Sequence, residues 1–158
     1  MKQVYRVFAY LVAAGVAIQA AAVAYGMFGL LKWVERGGTL DQSSEFGPEF
    51  GGYAGFLTHA TAGIGVIPLI ALLFLIFSFF AKIPGGIKWA LIVFGLTVLQ
   101  VALGLFAHEL AGLGWLHGLN ALILFAAAVM AGMRVKRAVA DKAAQAEETE
   151  PTKTVPVS

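Results

Sequence analysis

The chain has 158 residues, of which 59% are hydrophobic and 13% charged, and its formal net charge is +2; its mean hydropathy is +0.82. Ordinary soluble domains are about 25% charged, so a soluble enzyme, a disordered chain and a nucleic-acid binder are poor fits, and a lipid bilayer is the expected solvent. Cysteine is absent, which removes disulfides, thiolate metal sites, iron–sulfur clusters and haem attached through a C-x-x-C-H segment.

Setting histidine aside, four runs are free of charge, 7–31, 51–81, 89–107 and 110–133. Each is close to or beyond the roughly 20 residues that cross a hydrocarbon core of about 30 Å. The first follows Lys2 and Arg6 and is longer than the roughly 7 to 15 apolar residues of a secretory signal, so it is expected to be a retained helix. It predicts a helix over about 5–33, followed by an outer loop over 34–53 carrying Glu35, Asp41, Glu45 and Glu49. The second run is too long to lie wholly in the membrane. Its Gly51-Gly52 start puts the helix over about 54–82, with a kink at Pro68, which removes a helical hydrogen bond.

Lys82-Ile83-Pro84-Gly85-Gly86 is a turn by composition. A third helix is expected over about 87–109, then a turn at 111–114 and a fourth helix over about 113–135. Short connections make neighbouring helices antiparallel, which predicts an all-α integral membrane protein, a four-helix up-down bundle over 1–137. Gly15, Ala20, Ala24, Gly26, Gly63, Gly65, Gly95, Gly104, Gly118 and Gly132 are expected to let the helices approach closely. Residues 138–158, rich in Ala, Glu, Lys, Thr and Pro, are expected to form a disordered cytoplasmic tail.

Nine of the 11 Lys and Arg residues fall on one side of this bundle and only Lys32 and Arg36 on the other. The positive-inside rule then puts both termini in the cytoplasm and makes the chain a multi-pass protein of the cell membrane. Trp33 and Trp115 fall at the outer boundary and Trp89 at the inner one, as an aromatic belt requires.

Polar groups are costly in hydrocarbon, so the few within the spans mark where function is to be sought. They are Gln19, Thr58, His59, Thr61, Thr97, Gln100, His108, His117 and Asn120. All three histidines lie toward the outer side. His59 and His117 sit on the two helices that descend from that side, at similar depth, which is the arrangement a haem iron needs from two axial imidazoles. Gly63 and Ala121 stand one turn below them, so each ligating face is followed by little or no side chain. Asn120 is placed to orient a ring or bond a neighbouring backbone. His108 and Thr58 are placed to meet haem propionates. Gln19 and Gln100 are expected to bond each other or backbone and hold the register. Two other readings stay open: the histidines as interhelical hydrogen-bond partners, or all three, near Glu109, as an outer-face Zn or Cu site.

The stretches Thr58-His59-Ala60-Thr61-Ala62-Gly63, Leu99-Gln100-Val101-Ala102-Leu103-Gly104 and Leu116-His117-Gly118-Leu119-Asn120-Ala121 resemble one half of the heme A synthase family. The similarity covers about residues 5–135. It implies a four-helix bundle with His59 and His117 as axial ligands of one haem. The family's catalytic glutamate and the arginine following its histidine correspond here to Phe56 and Ala60, and its outer-loop cysteine pair is missing. What the resemblance implies is therefore the cofactor site without the synthase chemistry.

The functional expectation is a b-type haem protein that carries electrons, exchanging them with a quinone or a redox protein at the outer face. The rival of a different class is a cofactor-free accessory or assembly subunit of a larger membrane complex. The spans offer no catalytic acid, base or nucleophile, which favours that rival; a homo-oligomer is compatible with either.

Overall fold

The computed structural model describes residues 1–39 and 50–149, helices joined by short connections, with no strand among them. Four helices are long and apolar enough to cross a membrane. The first is Lys2–Glu35 and the second Tyr53–Ala81. The third is Gly86–Phe106, and the fourth runs Leu113–Thr149, with Leu113–Val135 as its membrane-length part. Asp41, Glu45, Glu49 and the rest of 40–49 lie outside the described residues, as do 150–158.

Two ends differ from the sequence expectation. The third helix stops at Phe106, and His108 and Glu109 sit in the turns that follow, their amides bonded to Leu105 O at 3.4 Å and Phe106 O at 3.1 Å. The fourth helix continues over 138–149, where a disordered tail was expected. Its alanines, lysines and glutamates are strong helix formers, and the next helix-breaking residue is Pro151.

The first helix packs on the second and fourth, and the third packs on the second and fourth. Along the first pair, Tyr5 meets Phe74 with ring centroids 4.7 Å apart, Phe8 meets Phe77 at 5.1 Å, Gly15 meets Ile67 and Gly26 meets Phe56. Over the length of the pair, from Tyr5–Phe74 through Gly15–Ile67 to Gly26–Phe56, numbers fall on the second helix as they rise on the first. Across the second pair, Arg134 lies over Trp89 at 5.8 Å, Asn120 reaches Leu96 and His117 reaches Gln100.

One end, called here the near end, carries Tyr5, the 82–86 turn and Arg134. The Tyr5 hydroxyl donates to Gly86 O at 3.1 Å, and Arg134 donates to Pro84 O through Nε at 3.3 Å and Nη2 at 3.1 Å. These bonds tie the turn to the first and fourth helices, which matters because lipid tails give apolar side chains no reason to prefer one another.

The core belongs to the near half. Tyr5, Ala9, Val12, Phe74, Val93 and Leu124 are among its buried members, and among the described residues no buried hydrophobic falls within 14–70 or 94–123. In the far half the helices meet instead through glycines and polar side chains. Gly26 and Gly55 are buried, and a Cβ on Gly55 would overlap the Ala22 carbonyl oxygen. Gly65, Gly95 and Gly118, expected as packing residues, have no atom within 4 Å of a Cβ position. They face away from neighbouring helices. Ile18, Phe28, Leu69, Phe79 and Leu122 are exposed, an apolar surface compatible with a lipid bilayer.

The second helix is interrupted by a π-helical turn at Ala62–Val66, just before Pro68. Proline lacks the N–H that a helix needs and its ring crowds the carbonyl four residues earlier, so widening that turn relieves both.

Candidate paired-histidine site

Each helical pair carries one glutamine on its first member and one histidine on its second, and both bring the two together in the same way. His59 Nδ1 lies 3.1 Å from the backbone oxygen of Gln19, and His117 Nδ1 lies 3.1 Å from the backbone oxygen of Gln100. A carbonyl can only accept, so His117 Nδ1 carries the proton and its lone pair falls on Nε2; His59 Nδ1 has both the Gln19 carbonyl, an acceptor, and the Gln19 amide nitrogen, a donor at 2.9 Å, beside it.

The side-chain amides repeat the match. Gln100 Nε2 donates to His117 O at 3.0 Å. In the amide orientation that satisfies its neighbours, Gln19 donates to His59 O at 3.0 Å and to His59 Nδ1 at 2.9 Å, and accepts from Gly63 N–H at 3.1 Å. His59 C=O and Gly63 N–H are the groups that a regular α-helix joins directly. The Gln19 amide thus bridges the helix where the π turn begins.

The third and fourth helices add an orienting layer. Asn120 is buried, and its Nδ2 donates to Leu96 O at 3.0 Å and to Gln100 Oε1 at 2.7 Å. With Oε1 so engaged, the Gln100 amide nitrogen faces His117, where it also stands 3.1 Å from Nε2. Gly104 completes the seat: a Cβ there would lie 3.1 Å from His117 Cε1 and 3.3 Å from Nδ1. The ring lies flush against the third helix.

His59 and His117 then meet across the bundle with ring centroids 6.0 Å apart and planes inclined by 65°. Both are half-buried. Two iron–nitrogen bonds of about 2 Å, with each ring centre about 1 Å behind its ligating atom, put axial imidazole centroids about 6 Å apart. The centroid spacing matches that of two axial imidazoles, while the lone pair at His117 Nε2 is engaged by the Gln100 amide. Among the described residues this half of the bundle has no fully buried hydrophobic side chain, and Gly63 has only the Gln19 amide, at 3.8 Å, near its Cβ position.

The remaining expected site residues are distributed as follows. Ala121 is half-buried one turn beyond His117. Asn120 reaches backbone and Gln100 rather than an imidazole. His108 and Thr58 are exposed, and Thr61 and Thr97 bond their own helices, to Leu57 O and Val93 O, each at 2.8 Å. The three-histidine Zn or Cu site is not assembled: among the described residues no three His, Asp or Glu side chains come together. His108 lies past the end of its helix, in the turns beyond Phe106. Gln19 and Gln100 do not bond each other, because each faces the histidine of its own pair. Sequence reasoning missed that pairing and the seat at Gly104. The available signal was one amide opposite one imidazole in each pair of spans. Comparison with protein-family models, curated proteins and solved structures finds no match to this chain.

Proposed function

We propose that this chain is a small membrane-embedded b-type cytochrome, holding one haem between His59 and His117 and transferring electrons near the outer face. The observation that carries the reading is the 6.0 Å separation of two imidazoles whose Nδ1 atoms are both held on backbone carbonyls. At His117 the bond fixes the tautomer that leaves Nε2 unprotonated, and a carbonyl on Nδ1 raises the basicity of a ligating imidazole. The resemblance of the motifs around these residues to one half of the heme A synthase family points the same way. Phe56 and Ala60, in place of that family's glutamate and arginine, speak against oxidation of a haem methyl group.

Haem b would supply a one-electron ferrous/ferric couple. With two imidazoles offered, no coordination position is left for a small ligand, so electron transfer is favoured over oxygen binding. Gly63 and Ala121 keep the ligating faces low. His108 and Thr58, exposed at the same end, are placed to meet propionates. The charge division of nine against two supports an up-down bundle in the cell membrane with both termini in the cytoplasm. That orientation turns the site toward the outer face, where a quinone or a redox protein would exchange electrons with it.

The test is the visible spectrum of the detergent-purified protein reconstituted with hemin, before and after dithionite. A Soret band distinct from that of free hemin, sharpened on reduction and lost in His59→Ala and in His117→Ala, is the expected result. Bands identical in the wild type and both variants would overturn the proposal.

A further inference from the structure

The two histidines share a backbone carbonyl as a partner of Nδ1 and differ at Nε2. Among the described residues His59 Nε2 makes no hydrogen bond, whereas His117 Nε2 stands 3.1 Å from Gln100 Nε2. An amide nitrogen can only donate, so it occupies the lone pair with which His117 would ligate a metal. The amide is fully committed there: its nitrogen also donates to His117 O at 3.0 Å, and its oxygen accepts from Asn120 at 2.7 Å. The Nδ1 bond to the Gln100 carbonyl is compatible with ligation through Nε2, so only the side-chain amide has to leave.

We propose that the Gln100 side chain is a displaceable cap on the His117 ligand nitrogen, held shut by Asn120. His59 engages the iron first, and His117 follows only after the cap opens. The inference rests on the haem reading above and adds an order of events and a positioning residue to it. Gln19 has no equivalent role. Its amide is spent on His59 O, His59 Nδ1 and Gly63 N–H, and none of these bonds involves His59 Nε2.

The test mixes hemin with the detergent-solubilised full chain in a stopped-flow spectrometer. The wild type is expected to show a spectrum of single-imidazole ligation that converts to that of two imidazoles. Gln100→Leu should speed the second phase roughly fivefold, the weight of one intramolecular hydrogen bond, and leave the first unchanged. His59→Ala should abolish the first phase. A readout free of hemin accompanies it: the nitrogen-15 resonance of His117 Nε2 should shift in Gln100→Leu while that of His59 stays in place. Should the leucine variant fail to fold, Gln100→Asn keeps the amide but is one methylene too short to reach Nε2. Equal second-phase rates in wild type and variant, or a first phase lost in His117→Ala instead of His59→Ala, would overturn the cap and leave the haem reading standing. No change in the hemin spectrum with any protein would remove the haem reading itself.

Discussion

Gln100 holds His117 at three points, with its side-chain nitrogen 3.1 Å from Nε2 and 3.0 Å from the backbone oxygen, and its own backbone oxygen 3.1 Å from Nδ1. Two residues 17 positions apart thereby lock the third helix to the fourth at the level of the candidate site.

That grip contributes to stability. Interhelical polar contacts in membranes average about 0.6 kcal/mol each. Gln100→Leu removes two donations and the bond accepted from Asn120, a loss of about 2 kcal/mol on that average. Gln19→Leu likewise removes three amide bonds, again about 2 kcal/mol. Thermal unfolding in detergent, followed by circular dichroism, should show comparable losses in the two variants. Wild-type stability in Gln100→Leu would contradict the three-point grip.

Glycines divide by where they face. Gly55→Ala drives a Cβ into the Ala22 carbonyl oxygen and to 2.8 Å from Gly26 N, backbone atoms that cannot turn aside. Overpacking of this kind costs about 1–3 kcal/mol. It should also shift His59, one turn further along the same helix. Gly95→Ala meets nothing within 4 Å and should be neutral or stabilising by up to about 1 kcal/mol through helix propensity. The same unfolding assay on the two variants checks the contrast, and equal losses would mean that the tight contact between the first and second helices is absent.

Orientation is accessible because the native chain has no cysteine. Single cysteines at Lys32 and at Trp115 should react with a membrane-impermeant maleimide on intact cells. Cysteines at Lys82 and at Lys153 should react only after lysis. Labelling at Lys82 in intact cells would reverse the proposed topology.

The sequence by itself determined the number of spans and nearly all their limits, because crossing a bilayer is a local property. A charge-free run of about 20 residues suffices wherever it occurs, and Gly51-Gly52 marked a start that falls at Tyr53. The sequence also singled out the intramembrane histidines as a pair, from their shared level on the second and fourth helices. Where propensity competed with composition, as over 138–149, strong helix formers prevailed over the polar character that suggested disorder.

Only the tertiary structure decided which face each polar side chain takes. Rotation about a helix axis changes by about 100° per residue, and it is set by contacts with other helices, which no local pattern encodes. Gln19 and His59 are 40 residues apart and Gln100 and His117 only 17, so the matched bonding of the two helix pairs leaves no regular spacing to read. Backbone carbonyls as the partners of both imidazoles, and an amide closed over His117 Nε2 but not over His59 Nε2, arise from packing alone.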